Sequence, residues 1–437
     1  MPKQFPMVVL FVFALVVSSC VSVRYDEDVS QYTENIRELR QKLEANPSDA
    51  ESWRDLGIIY FETKQYAKAK EYLKQSIDLD GSDAKAAFYL GMTHEFDVNP
   101  TAALAVYITY TDYSPLSQYR SMMEGRYQEL TREVIKSQFR ALIAKEGSIT
   151  TSSLPVNTLA VFPLAYQTGD IRYAPLGMGI SEMILTDLGQ VKKLKLVERI
   201  RIEELLKELS FSATSSVDQT SAPRMGKLLA AGRIVGGTFS VSPDGSIRMD
   251  VSSVDVATGS KPGGASESDG LENLFRAEKE IVFKLIQGMG VKLSREERES
   301  IQRFPTKNLQ AFLAYSLGLD YEARGDFESA GAMYKEAGSI DPAFSSAKER
   351  QSISEARKTG SGNKETALAS AEKIEPPPKP SGSTTGKGSM VARRFETMQQ
   401  VIGSGIVPSQ DSRKPAQEGL PATGIELPAP PPPPPPQ

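Results

Sequence analysis

The sequence predicts a multi-domain chain of mixed class, α plus α/β. Helical hairpins come first, then a central α/β domain, one further helical hairpin, and a disordered Pro-rich C-terminal tail. Three observations predict this. Small and large apolar residues recur at an interval of thirty-four near the N-terminus; short β-rich apolar runs replace them between 155 and 293; and Pro, Gly and Ser dominate after 350. The 437 residues exceed one ordinary domain of ~100–200. Lys plus Arg number 51 against 55 Asp plus Glu, so no sequence-wide basic footprint for nucleic acid exists. Histidine and cysteine occur once each, as His94 and Cys20, which excludes a histidine pair, Cys–His ligation or an internal disulfide.

The N-terminus reads as an address. Lys3 precedes an almost unbroken apolar run from Met7 to Val17, and Ser18 and Ser19 are the small residues that a signal peptidase requires. Residues 1–19 are therefore expected to be a signal peptide, since the run falls short of the ~20 residues a spanning helix needs. Val17-Ser18-Ser19-Cys20 resembles a bacterial lipobox, which implies lipidation of the Cys20 thiol as the mature N-terminus. Acyl chains there would hold the protein to a membrane with ~0.8 kcal/mol per buried CH2. Val21 and Ser22 lack the aspartate that resembles an inner-membrane retention signal. The resemblance thus implies the periplasmic face of the outer membrane, with 20–30 as a lipidated linker.

Residues 31–146 carry the repeat. Trp53, Leu56, Gly57, Tyr60, Ala69 and Leu73 become, thirty-four residues on, Ala87, Leu90, Gly91, His94, Ala103 and Tyr107. This period and chemistry resemble the tetratricopeptide repeat, in which small residues let two helices approach and large ones fill the seam. Ser48-x-x-Glu51 predicts a capping box for the first helix, and Gln31 to Glu44 an earlier truncated repeat. Leu116 to Lys145 predicts a long helix acting as cap or spacer. His94 occupies the place of Tyr60, so packing is expected of it rather than ligation or base catalysis. A third copy lies at Ala314, Leu317, Gly318, Tyr321, Phe327, Ala330, Tyr334 and Ala337, closed by Asp341-Pro342. One hairpin cannot bury its own apolar face, so this copy within 294–350 must dock on the central domain or on another chain.

Between the repeats the period changes. Thr158 to Leu164 and Leu194 to Val197 predict short strands, Arg233 to Ser242 and Ser246 to Val256 a hairpin turned at Pro243-Asp244-Gly245. Pro175 to Leu188, Ile200 to Leu209, Arg224 to Ala231 and Leu271 to Met289 predict helices, and Ser294-x-x-Glu297 caps another. That order, with Leu159-Ala-Val-Phe-Pro163, Leu196-Val-Glu-Arg199, Val235-Gly-Gly237 and Val254-Asp-Val-Ala-Thr-Gly259, resembles the curli-secretion-channel (CsgG-like) family. TolB-like proteins and lipoprotein activators of peptidoglycan synthases share the layout. The channel family inserts two long hairpins as barrel strands. Here the first turns tightly, and Lys261 to Asp269 is a polar stub in place of the second.

Nothing in the sequence forms a catalytic constellation, and no cofactor or metal is expected. Gly177-Met-Gly179 lacks the third glycine of a dinucleotide loop, Glu182 standing in its place. Glu203-Glu204 reads as a solvated helix start. The tail, 351–437, contains Glu375-Pro-Pro-Pro-Lys-Pro380 and the run Pro430 to Pro436, with Met390 to Ile402 as a helical island. The expected function is a non-enzymatic, lipid-anchored periplasmic adaptor binding protein partners. A secretion-channel subunit and a regulator of a peptidoglycan synthase are the alternatives, and the oligomeric state is left open.

Overall fold

A computed structural model describes residues 29–151, 154–210, 220–360 and 362–379. Cys20, the Met390–Ile402 segment and the Pro430–Pro436 run lie outside them. The N-terminal part is helical: α1 (Thr33–Ala45), α2 (Ala50–Glu62), α3 (Tyr66–Leu79), α4 (Ala84–Phe96), α5 (Pro100–Tyr107) and α6 (Gln118–Ala144). Asp83 and Asn99 cap α4 and α5 by accepting from Ala86 and Ala102 N–H, and Pro100 at the first helical position lacks the donor that would go unused there. The cap of α2 differs from expectation. Asp49, not Ser48, accepts from the Ser52 N–H, because the Asn46 side chain engages Ser48 N–H in the preceding turn.

The middle of the chain is a mixed sheet between helices. Its elements are β1 (Thr158–Val161), β2 (Ala165–Tyr166), α7 (Leu176–Gly189), β3 (Lys195–Leu196), α8 (Arg199–Glu208), α9 (Ala222–Leu229), β4 (Arg233–Val241), β5 (Ser246–Asp255), β6 (Gly263–Gly270) and α10 (Leu274–Gly288). The strand order is β3-β1-β4-β5-β6. β1 is parallel to β3 and β4, with Leu159 opposite Leu196 and Arg233; β4, β5 and β6 form an antiparallel meander. Pro163 offers no ladder donor, so β1 stops before it and β2 resumes the pairing against β4. Leu159 and Val161 face a core shared with α7 and α10, whereas Ala160 and Phe162 face one shared with α8 and α9. Both faces of β1 are covered, which explains its continuous apolar run.

Three expectations change. Lys261 to Asp269 is no stub: most of it forms β6, a Gly/Ser-rich edge strand whose pairing to β5, not side-chain packing, defines it. The 27-residue α6 is no spacer, because Met122, Met123 and Tyr127 pack in the repeat core while Ile135 and Phe139 pack under the sheet. After α11 (Arg295–Ile301), α12 (Leu309–Arg324) and α13 (Phe327–Ile340), the chain continues as α14 (Ser345–Gly360) and α15 (Lys364–Ile374). The tail therefore does not begin at 351. Its anchors are mostly alanines, Ala347, Ala356, Ala367 and Ala371, too small to mark an apolar face by pattern alone. Of the two docking places expected for the hairpin within 294–350, the structure has the central domain: Phe312, Tyr315, Ala330 and Tyr334 belong to the same core as Leu159 and Val235.

Candidate protein-interaction site

Each hairpin is built on one close approach. A Cβ on Gly57 would stand 2.6 Å from Leu73 Cγ, on Gly91 2.2 Å from Tyr107 Cε1, and on Gly318 2.6 Å from Tyr334 Cε1. Leu56, Tyr60, Ala69, Ala103, Ala330 and Tyr334 are buried, as is each of these glycines. Trp53 is half-buried, donates from Nε1 to the Pro47 carbonyl at 2.9 Å and lies 5.3 Å from the Tyr72 ring. Leu90, Leu317 and Tyr321 are half-buried, and Pro342 is exposed. Pro342 does not pack in the seam; it follows the end of α13, where a residue without N–H cannot prolong the helix.

The second and third hairpins share a buried polar device. Tyr107 donates to Glu95 Oε1 at 2.7 Å, and Tyr334 to Glu322 Oε2 at 2.6 Å. Arg126 of α6 then holds Glu95 through two bonds, at 3.0 and 2.6 Å, with the guanidinium fully buried. At the third hairpin Arg350 of α14 holds Glu322 at 3.2 Å. Burial alone would raise the Glu322 carboxyl, but Arg350, Arg199 and Arg357 hold it well below the usual carboxylate range. Sequence reasoning named the two tyrosines as repeat residues but missed the glutamates and arginines. The signal was present: Glu stands four, and Tyr sixteen, positions after Gly91 and again after Gly318.

The ion pairs continue between units. Arg132 of α6 meets Glu203 at 3.0 Å and Glu204 at 2.8 Å; Arg199 meets Glu203 at 2.6 Å; Arg350 bridges Glu182 and Glu322. Glu203 and Glu204 are thus buried partners of α6, not a solvated helix start, because α6 crosses α8 there. Gly179 likewise serves packing: its missing Cβ leaves room for Ser316 and Phe312 of α12. The third hairpin docks on the central domain through this contact.

α15 lies along α4 in the opposite direction. Lys364 sits 4.6 Å from the Phe96 ring centroid and donates to the Glu95 carbonyl at 3.2 Å. At the other end Glu375 pairs with Lys85 at 2.7 Å. Between them Ala367, Leu368 and Ala371 are buried, Leu368 and Ala371 in the repeat core. Burial, then the carboxylates of Glu62, Glu372 and Glu375, push the Tyr89 phenol far above its ordinary value. His94 on α4 is half-buried; burial, then Lys70, lower its pKa.

Residues 50–83 match the tetratricopeptide repeat family model. The match spans α2, α3 and the turn into α4. No curated protein matches the chain. The chain therefore carries a repeat of a class built for protein–protein contact.

Two cavities lie among the described residues. One of about 620 Å³ lies between α1 and the α2–α3 hairpin, lined by Arg37, Arg40, Tyr60 and Lys68 among others. Arg40 donates to the Tyr60 hydroxyl at 3.1 Å, and Lys68 lies over the same ring. The other, about 230 Å³, is lined by Met183, Asp187, Lys279 and Phe304 among others. Behind Lys279, burial and then the Asp187 charge raise the Glu278 carboxyl well above the usual range. Among the described residues no group of three or more His, Cys, Asp or Glu is arranged for a metal ion, and no helix is long and apolar enough to cross a membrane.

Proposed function

We propose that this protein is a lipid-anchored adaptor on the periplasmic face of the outer membrane. Its helical hairpins bind protein partners, and its α/β unit, which resembles the curli-secretion-channel family, positions them at an envelope assembly. The observation that carries the reading is the repeat itself, residues 50–83, built around a glycine-permitted helix contact. The lipobox-like Val17-Ser-Ser-Cys20 supports the anchor. The wild type is expected in the membrane pellet with acyl mass on its N-terminal cysteine, and Cys20→Ala in the soluble periplasmic fraction. An unacylated N-terminus would defeat the anchor. Crosslinking in intact envelopes followed by affinity purification is expected to capture envelope protein partners; recovery of none would defeat the adaptor reading.

A further inference from the structure

We propose that the face of α4 bearing Lys85 and Phe96 is a helix-binding groove, and that α15 is its exchangeable occupant, holding the place of a partner helix of the same chemistry. The inference rests on reading the N-terminal hairpins as a partner surface. α15 has the spacing of a groove-bound helix: Lys364, then Ala367, Leu368 and Ala371 at positions three, four and seven beyond it. The groove answers each. Phe96 and the Glu95 carbonyl receive the ammonium, and Lys85 receives Glu375. Lys364 and Glu375 are eleven residues apart, as are Lys85 and Phe96, so the antiparallel helices match in rise end to end.

The seat is specific yet light. Of the eleven residues of α15, three are buried, and two of those are alanines. The Lys85–Glu375 pair is half open to water on the glutamate side, where such pairs contribute little. Its tether, at whose base Arg126 donates to the Gly362 carbonyl at 2.6 Å, adds to these contacts an effective concentration of about millimolar. A partner helix needs a cation, a small–Leu–small face and an acidic residue eleven positions after the cation. A partner helix that makes these contacts and adds others beyond the ends of α15 would displace it.

The test uses the full chain and a labelled synthetic peptide spanning residues 362–379. Leu368→Asp, which unseats α15, is expected to bind the wild-type peptide at least about tenfold more tightly than the wild-type chain does. Adding Lys85→Glu should abolish that gain, and a peptide carrying Glu375→Lys should restore it. Should Leu368→Asp fail to give a wild-type circular dichroism spectrum, the Lys364→Glu/Glu375→Lys double variant serves in its place. Equal binding by the wild-type and unseated chains, or none by a folded unseated chain, overturns the proposal. So does a concentration-dependent dimer that Leu368→Asp abolishes, since that assigns the groove to a second copy. Membrane fractionation and envelope crosslinking test the adaptor reading separately, so either can fail while the other stands.

Discussion

Gly91 is held between two demands. Alanine would gain about 1 kcal/mol of helix propensity, but its methyl would stand 2.2 Å from a Tyr107 ring pinned through Glu95 to Arg126. The ring has nowhere to go. Gly91→Ala should lose about 2–3 kcal/mol, read from denaturant unfolding, whereas Gly147→Ala, at an exposed site with open space, should change little. Glu124 supplies a second residue-scale test. Burial raises its carboxyl to about 7, with Arg120 opposing. The folded chain keeps this proton after the unfolded chain has lost it, so stability from this group is present below the unfolded value and falls as pH rises to about 7. Glu124→Gln should remove that fall, leaving the variant about 3 kcal/mol more stable relative to wild type at pH 8 than at pH 4. An unchanged difference across that range would refute it. Gly57 and Gly91 were legible because a spacing of thirty-four repeats them, and Trp53 because it stands at the aromatic position of the repeat. Arg126 was not, since a charged residue gives no sign in sequence that a distant partner buries it; Glu95 was marked only by its shared spacing with Glu322 after Gly91 and Gly318.

At the scale of elements, α6 decides how the molecule coheres. Its first half completes the repeat core and its second half lies under the sheet. Arg132, in between, faces Glu203 and Glu204, all three buried. Arg132→Ala would deprive Glu204 of its nearest cation and leave Glu203 with Arg199 alone, at about 3–5 kcal/mol. Arg132→Met, with the Glu203→Gln and Glu204→Gln changes added, should recover much of it. Thermal melts of both variants check this, and a mild effect of Arg132→Ala alone would mean that Lys207 and Arg199 suffice. The helices and the β4–β5 hairpin were legible in their periodicity and in Pro243-Asp-Gly. β6 was not, because a Gly/Ser strand owes its conformation to the ladder beside it. Nor was α15, whose apolar face is mostly alanine.

For the whole molecule, the linear order of units in the sequence gives way to a closed path. The third hairpin returns to the sheet through α7, α14 runs against α13 and α6, and α15 comes back to α4. Composition located the changes of architecture but not this return, since which faces meet is decided by particular pairings distant in sequence, among them Gly179 with Ser316, Arg126 with the Gly362 carbonyl and Lys85 with Glu375.

That return sets an order of events in folding. Lys364 meets the Glu95 carbonyl across 269 residues of chain, a closure about 2 kcal/mol more demanding in entropy than that of a hairpin-sized loop. The first two hairpins have only local partners to find and can assemble early, while α15 arrives late and is held lightly. During that interval Tyr89 and Phe96 stand uncovered. A chain interrupted upstream of residue 364 keeps them so, exposing an apolar strip with no tethered helix to shield it from collision with other chains.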